Sequence, residues 1–94
     1  MYRYVVTYDI PDDHTRKRVG DLLEGYGIRV QRSVFEIECK TYAKFNELQY
    51  ELLKLIDQEA DSIRFYFLCE NCINKAFDLG NTPEPFDRES IYFF

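Results

Sequence analysis

Histidine is almost missing from this sequence. His14 is the single example, and that count excludes catalytic triads and metal sites built on several imidazoles. His14 itself reads as a first-turn helix residue. Long apolar runs are missing too: no stretch reaches the roughly eighteen residues that a membrane helix needs. Met1-Tyr2-Arg3-Tyr4 has neither a hydrophobic signal core nor a cleavage site. The expectation is a cytoplasmic protein with no membrane partner. Cysteine occurs three times, as Cys39, Cys69 and Cys72, an odd number from which no disulfide framework can be read. Cys69-Glu70-Asn71-Cys72 spaces two thiols as zinc ligands are spaced, but a structural zinc site takes four and no second pair exists. Free thiols are the plain reading of these residues, and redox activity is the other. No glycine, proline or asparagine falls between Ile28 and Lys40, so that stretch lacks the usual markers of a tight hairpin.

Positive charge is also scarce, since 12 Lys or Arg stand against 17 Asp or Glu for a net charge of −5. That balance argues against a polyanionic partner. The distribution weakens the objection, because residues 1–40 balance to zero and residues 41–94 carry the whole deficit. Any basic face must be built mainly from the first half. Arg16-Lys17-Arg18, Arg29 and Arg32 are the cations available there.

What is present suits a folded domain. A chain of 94 residues, 46% hydrophobic and 17% aromatic, is too apolar to be disordered and too short for a second domain, so residues 1–94 are read as one. Eight Tyr and eight Phe exceed what so small an interior easily hides, which points to aromatics in an interface. Tyr2 to Asp9 reads as a strand that ends before Pro11, with Tyr2, Tyr4, Val6 and Tyr8 on one face and Arg3, Val5, Thr7 and Asp9 on the other. Asp12 or Asp13 caps a helix carrying Val19, Leu22, Leu23 and Tyr26, which Gly27 stops. Ile28 to Lys40 is strand-like, as one bent strand or two. Thr41 begins a second amphipathic helix with Phe45, Leu48, Leu52, Leu55 and Ile56 on its apolar side. Asp61 to Cys69 is a further strand, and a short one is expected at Ala76 to Leu79. Residues 80–94 form a Pro-marked loop and a C-terminal strand, Ile91-Tyr92-Phe93-Phe94, that pairs either locally or with a partner subunit. This order predicts an α+β sandwich of ferredoxin-like β-α-β-β-α-β type with both helices on one sheet face. The other face, carrying Val5 and Thr7, is expected to be apolar and to recruit a second copy as a homodimer.

Asp9 is the most informative single residue. A carboxylate at a strand end is a turn former or helix cap, or it serves a functional loop. One carboxylate makes a poor metal site, but two related by a two-fold axis could share a Mg²⁺ that keeps several waters. Arg16, Lys17 and Arg18 form a solvated helix face or a set of phosphate contacts. Arg29 and Arg32, three apart in an extended segment, are expected on opposite faces.

Read together, Tyr4-Val5-Val6-Thr7-Tyr8-Asp9-Ile10, Arg16-Lys17-Arg18, Tyr26-Gly27-Ile28-Arg29-Val30-Gln31-Arg32-Ser33-Val34-Phe35-Glu36 and Asp61-Ser62-Ile63-Arg64-Phe65-Tyr66 resemble the CRISPR-associated protein 2 family over nearly the whole chain. The resemblance implies a ferredoxin-like homodimer, with Asp9 and its symmetry mate binding Mg²⁺, or Mn²⁺ in its place. It implies cleavage of single-stranded RNA, and in some members of double-stranded DNA. Tyr8 would stand beside Asp9 in catalysis, and Arg16, Arg18, Arg29, Ser33 and Phe35 would bind nucleic acid. It also implies a second role, in which the dimer bridges copies of the CRISPR integrase during spacer acquisition without needing catalysis. A metal-dependent nuclease and a non-catalytic DNA-binding scaffold therefore compete, with a ferredoxin-like toxin ribonuclease as a third class.

Overall fold

In the computed structural model, residues 1–81 and 84–86 are described. The chain runs β1 (Tyr2–Asp9), α1 (Asp13–Glu24), β2 (Gly27–Gln31), β3 (Val34–Cys39), α2 (Tyr42–Leu55), β4 (Ser62–Leu68) and α3 (Glu70–Lys75). The sheet has the order β2-β3-β1-β4 with every neighbouring pair antiparallel, which is the expected ferredoxin-like α+β arrangement. Among the described residues no helix is long and apolar enough to cross a membrane.

Local chemistry explains where the elements begin and end. Asp12 is the N-cap of α1, its carboxylate accepting from the Thr15 N–H and hydroxyl, both at 2.8 Å. Those bonds hold its carboxyl below the usual range. Thr41 caps α2 by accepting from the Lys44 N–H at 3.1 Å. The first helix stops at Gly25, two residues before the expected Gly27. Gly27 instead opens β2 against β3, where a Cβ would lie 1.9 Å from the Glu36 carbonyl oxygen. Only glycine fits that approach.

The alternation along β1 holds. Tyr4, Val6 and Tyr8 enter the core with Phe35 and Ile37 of β3, Val19 and Leu23 of α1, and Phe45, Leu48 and Leu52 of α2. Tyr4 stacks on Phe45 with centroids 4.2 Å apart, and Phe65 of β4 meets both rings edge-on. Each such pair adds about 0.5–1.5 kcal/mol beyond the area it buries.

One open reading is settled and other expectations are corrected. Residues 28–40 form two strands, turning at Arg32-Ser33 without glycine or asparagine. That turn is held from outside, by the Tyr8 N–H donating to the Ser33 carbonyl at 3.1 Å. The segment after β4 begins with α3, and Ala76 to Leu79 is irregular rather than a strand. The face away from α1 and α2 is not an apolar sheet. Register places Glu38 beside Arg3, Glu36 beside Val5 and Arg64 beside Thr7. Arg3 and Glu38 form a buried ion pair. Part of this face is covered by the chain itself: Phe86 is buried and its N–H donates to Glu36 Oε1 at 2.9 Å. The expected strand at Ile91–Phe94 lies outside the described residues. Several aromatic side chains remain exposed, Tyr66, Phe67 and Phe77 among them.

Candidate nucleic-acid interface and the Asp9 carboxylate

The two sides of the end of β1 carry different chemistry. Tyr8 points to the helix-covered side, and its ring stacks on Phe35 with centroids 6.3 Å apart. Arg29 pairs in register with Phe35 and lays its guanidinium over that ring, 4.8 Å from the centroid. Its Nη1 donates to the Tyr8 hydroxyl at 3.2 Å and to the Arg32 carbonyl at 2.5 Å. An arginine stacked and tethered in this way keeps little rotamer freedom to lose when it meets a phosphate. Gly20 of α1 makes room for it, since a Cβ there would lie 2.6 Å from Arg29 Nη2.

Tyr8, Asp13, Arg16, Lys17, Arg29 and Arg32 line one cleft of about 240 Å³. Arg16 is fixed at its rim, donating to the Ile10 carbonyl at 2.9 Å and pairing with Asp13. Lys17 pairs with Asp21 at 2.9 Å. Glu24 stands 3.8 Å from Arg29 Nη2, so three of the four cations that line the cleft have a carboxylate partner, and its positive excess amounts to about one charge, Arg32.

The residues expected to act together are thus partly separated. Arg16, Arg29 and Tyr8 share the cleft. Arg18 does not: it lines a groove between α1 and α2 with Asp21, Glu51 and Lys54. Phe35 is fully buried, so its ring supports Arg29 from below and offers no face to a base. Ser33 is half-buried in the turn and contributes the carbonyl that Tyr8 N–H uses. Arg32 and Lys17, counted among the cations of the first half but left out of the binding set that the family resemblance implies, join the site. Strict alternation sets Arg29 and Arg32 on opposite faces, but a bulge between Arg29 and Gln31 adds a residue and resets the count.

Asp9 ends β1 on the opposite side from Tyr8, in register with Ser62 of β4. It is exposed, and its side chain makes no hydrogen bond or ion pair with any described residue. It caps nothing, because Asp12 holds that position. Among the described residues no three Asp, Glu, His or Cys side chains converge as a metal site. A carboxylate with neither oxygen engaged by a described residue suits Mg²⁺, which binds through one or two carboxylates and keeps waters on its other positions.

These features define a ferredoxin-like domain with an arginine-lined, aromatic-backed cleft and, at the end of its first strand, an exposed carboxylate without a partner among the described residues. The family model for CRISPR associated protein Cas2 matches residues 1–76, and the chain belongs to that family. It is 51% identical to CRISPR-associated endoribonuclease Cas2 3 of Synechocystis sp. over 88% of this chain and 89% of that one. It is 40% identical to CRISPR-associated endoribonuclease Cas2 1 of Chloroflexus aurantiacus over 95% and 96%. Among solved structures, Streptococcus pyogenes Cas2 superposes with a TM-score of 0.74 at 37% identity, over 83% of this chain and 99% of that one. A chain of a partial Cas6-RT-Cas1–Cas2 complex superposes with a TM-score of 0.76 at 39% identity, over 84% and 91%. Family membership sets aside the toxin ribonuclease reading.

Proposed function

We propose that two copies of this chain form a metal-dependent endonuclease of CRISPR adaptation that also bridges copies of the CRISPR integrase. The observation that carries the catalytic part is Asp9: exposed, without a side-chain partner among the described residues, and at a strand end, where a second copy can bring its own Asp9. Mg²⁺ or Mn²⁺ bound between the two would supply Lewis-acid activation of a water for attack on a phosphodiester. Asp9 orients the site and keeps it negative. Arg16, Arg29 and Arg32 grip the backbone of the RNA or DNA, and Tyr8 fixes Arg29. Single-stranded RNA is the favoured substrate, in keeping with the endoribonuclease names of the relatives, and double-stranded DNA is the second. The superposition on a chain of a complex that contains Cas1 supports the integrase as partner.

One observation favours a second reading beside the first. Asp9 is not among the residues that line the cleft, so the arginines can hold nucleic acid without it. A scaffold role in integration would then survive loss of cleavage. Labelled single-stranded RNA and double-stranded DNA, incubated with the protein in Mg²⁺, Mn²⁺ or excess chelator, test the nuclease reading, with light scattering alongside. Cleavage should need the metal, and the mass should be twice the 11.3 kDa of one chain. Full cleavage in chelator, or a monomer at micromolar concentration, would overturn it.

A further inference from the structure

Cys69 and Cys72 take no part in the cleft or beside Asp9. Cys69 follows β4 and is the N-cap of α3, with Cys72 in the first turns of that helix. The Ile73 N–H donates to the Cys69 carbonyl at 3.1 Å, so the backbone between the two thiols is already wound. Residues three apart on a helix are neighbours, with Cβ atoms about 5–6 Å apart. Here the two Sγ atoms are 3.3 Å apart and both cysteines are exposed. A disulfide needs about 2.05 Å between sulfurs, a closure that small rotations in an exposed turn can supply.

The three thiols of the chain differ in reactivity. When Cys69 ionises, its thiolate accepts from the Cys72 N–H and the Cys72 thiol, which hold its pKa below the ordinary value of 9.0. Cys39 is buried in the core, and desolvation, with Glu38 beside it, pushes its thiol up to about 11. One exposed thiol is set to attack, its neighbour is placed to resolve, and the third is silent.

We propose that Cys69 and Cys72 are a reactive dithiol, a redox site that small-molecule disulfides oxidise to an intramolecular Cys69–Cys72 bond. The Cys69 thiolate attacks one sulfur of the oxidant RSSR, forming a mixed disulfide and releasing RS⁻, which takes up a proton. Cys72 then loses its proton to solvent, and its thiolate attacks the Cys69 sulfur and expels the second RS⁻, which is protonated in turn. Two protein thiols are oxidised to one disulfide, and RSSR is reduced to two RSH. The bond would close the junction between β4 and α3 and fix the direction in which the chain leaves the sheet toward Phe86. This inference does not depend on the nuclease reading.

The full-length reduced protein, incubated with oxidised glutathione and followed by intact mass spectrometry, tests it. The wild type should lose two hydrogens and keep one thiol, Cys39, that alkylates only after denaturation. Cys72→Ser should stop at a glutathione adduct on Cys69, Cys69→Ser should react on the order of tenfold more slowly, and Cys39→Ser should match the wild type. A persistent adduct on the wild type, a disulfide linking two chains, or no reaction would each overturn the proposal. The wild-type mass decides the matter even if a variant fails to fold.

Discussion

Replacing Gly20 by alanine should leave the fold nearly as stable as before while weakening its hold on nucleic acid. The added Cβ would stand 2.6 Å from Arg29 Nη2, 3.5 Å from the Tyr8 hydroxyl and 3.7 Å from Arg29 Cζ. The first approach cannot persist, so the guanidinium must withdraw. It is the far end of a flexible side chain that is 40% exposed, and withdrawal is cheap. Alanine in a helix interior is favoured over glycine by about 1 kcal/mol. Losing the hydrogen bonds to the Tyr8 hydroxyl and the Arg32 carbonyl and the stacking on Phe35, all partly solvated, costs about 1–2 kcal/mol in return. The two largely cancel, so Tm should move by no more than about 4–8 °C in a domain of this size. Binding has no such compensation. Without the Arg29 grip on one phosphate of a single strand, the dependence of log affinity on log salt should flatten by about 0.7. Circular dichroism melts and fluorescence anisotropy with labelled single-stranded RNA over a salt series read both quantities. Wild-type affinity and slope in a folded Gly20→Ala protein would refute the role assigned to the tethered Arg29.

The division of the arginines between two grooves is testable in the same titrations. Arg29→Ala and Arg16→Ala should each reduce the salt slope for every RNA sequence tested, whereas Arg18→Ala, outside the cleft, should change it less; an equal effect from Arg18 would place the phosphate path across both helices. Glu36 has its pKa raised above the ordinary 4.5, by burial first and by Asp78 nearby, against the lowering effect of the Phe86 N–H. The fold therefore favours the neutral carboxyl, and its contribution to stability is fully present below pH 4.5 and lost as pH rises through the raised value. Glu36→Gln keeps an acceptor for Phe86 and should gain on the wild type as pH rises through that window in urea titrations; a stability difference constant with pH would show that Glu36 does not titrate against the fold.

Local signals made much of this architecture readable from sequence. The alternation of β1 placed Tyr4, Val6 and Tyr8 in the core, Thr41 marked the start of α2, and Asp9 stood out because it ends a β-rich strand. What escaped was set by contacts distant in sequence. Two nearby glycines disguised the stop of α1, since Gly25 ends the helix while Gly27 serves strand pairing with Glu36. The Arg32-Ser33 turn carries no turn residues because a hydrogen bond from Tyr8 holds it. The bulge after Arg29 then brought Arg32 into the cleft, against a simple two-residue period. The character of the second sheet face depended on register, which puts Glu36 and Glu38 opposite Val5 and Arg3, and the buried position of Phe35 depended on both helices. Phe35→Ala would cost about 3–5 kcal/mol through lost burial and the cavity left behind, so an inactive variant at that position would report a damaged core rather than a missing nucleic-acid ligand.

Asp9→Asn tests the central claim most directly, because an exposed carboxylate without a partner among the described residues can change to an amide with little effect on folding, within about 0.5 kcal/mol. Cleavage of labelled single-stranded RNA in Mg²⁺ should fall to the level seen without protein, while affinity for the same RNA measured in chelator stays at the wild-type value. Cleavage at the wild-type rate by the purified, folded variant would contradict the assignment of the metal and the chemistry to Asp9.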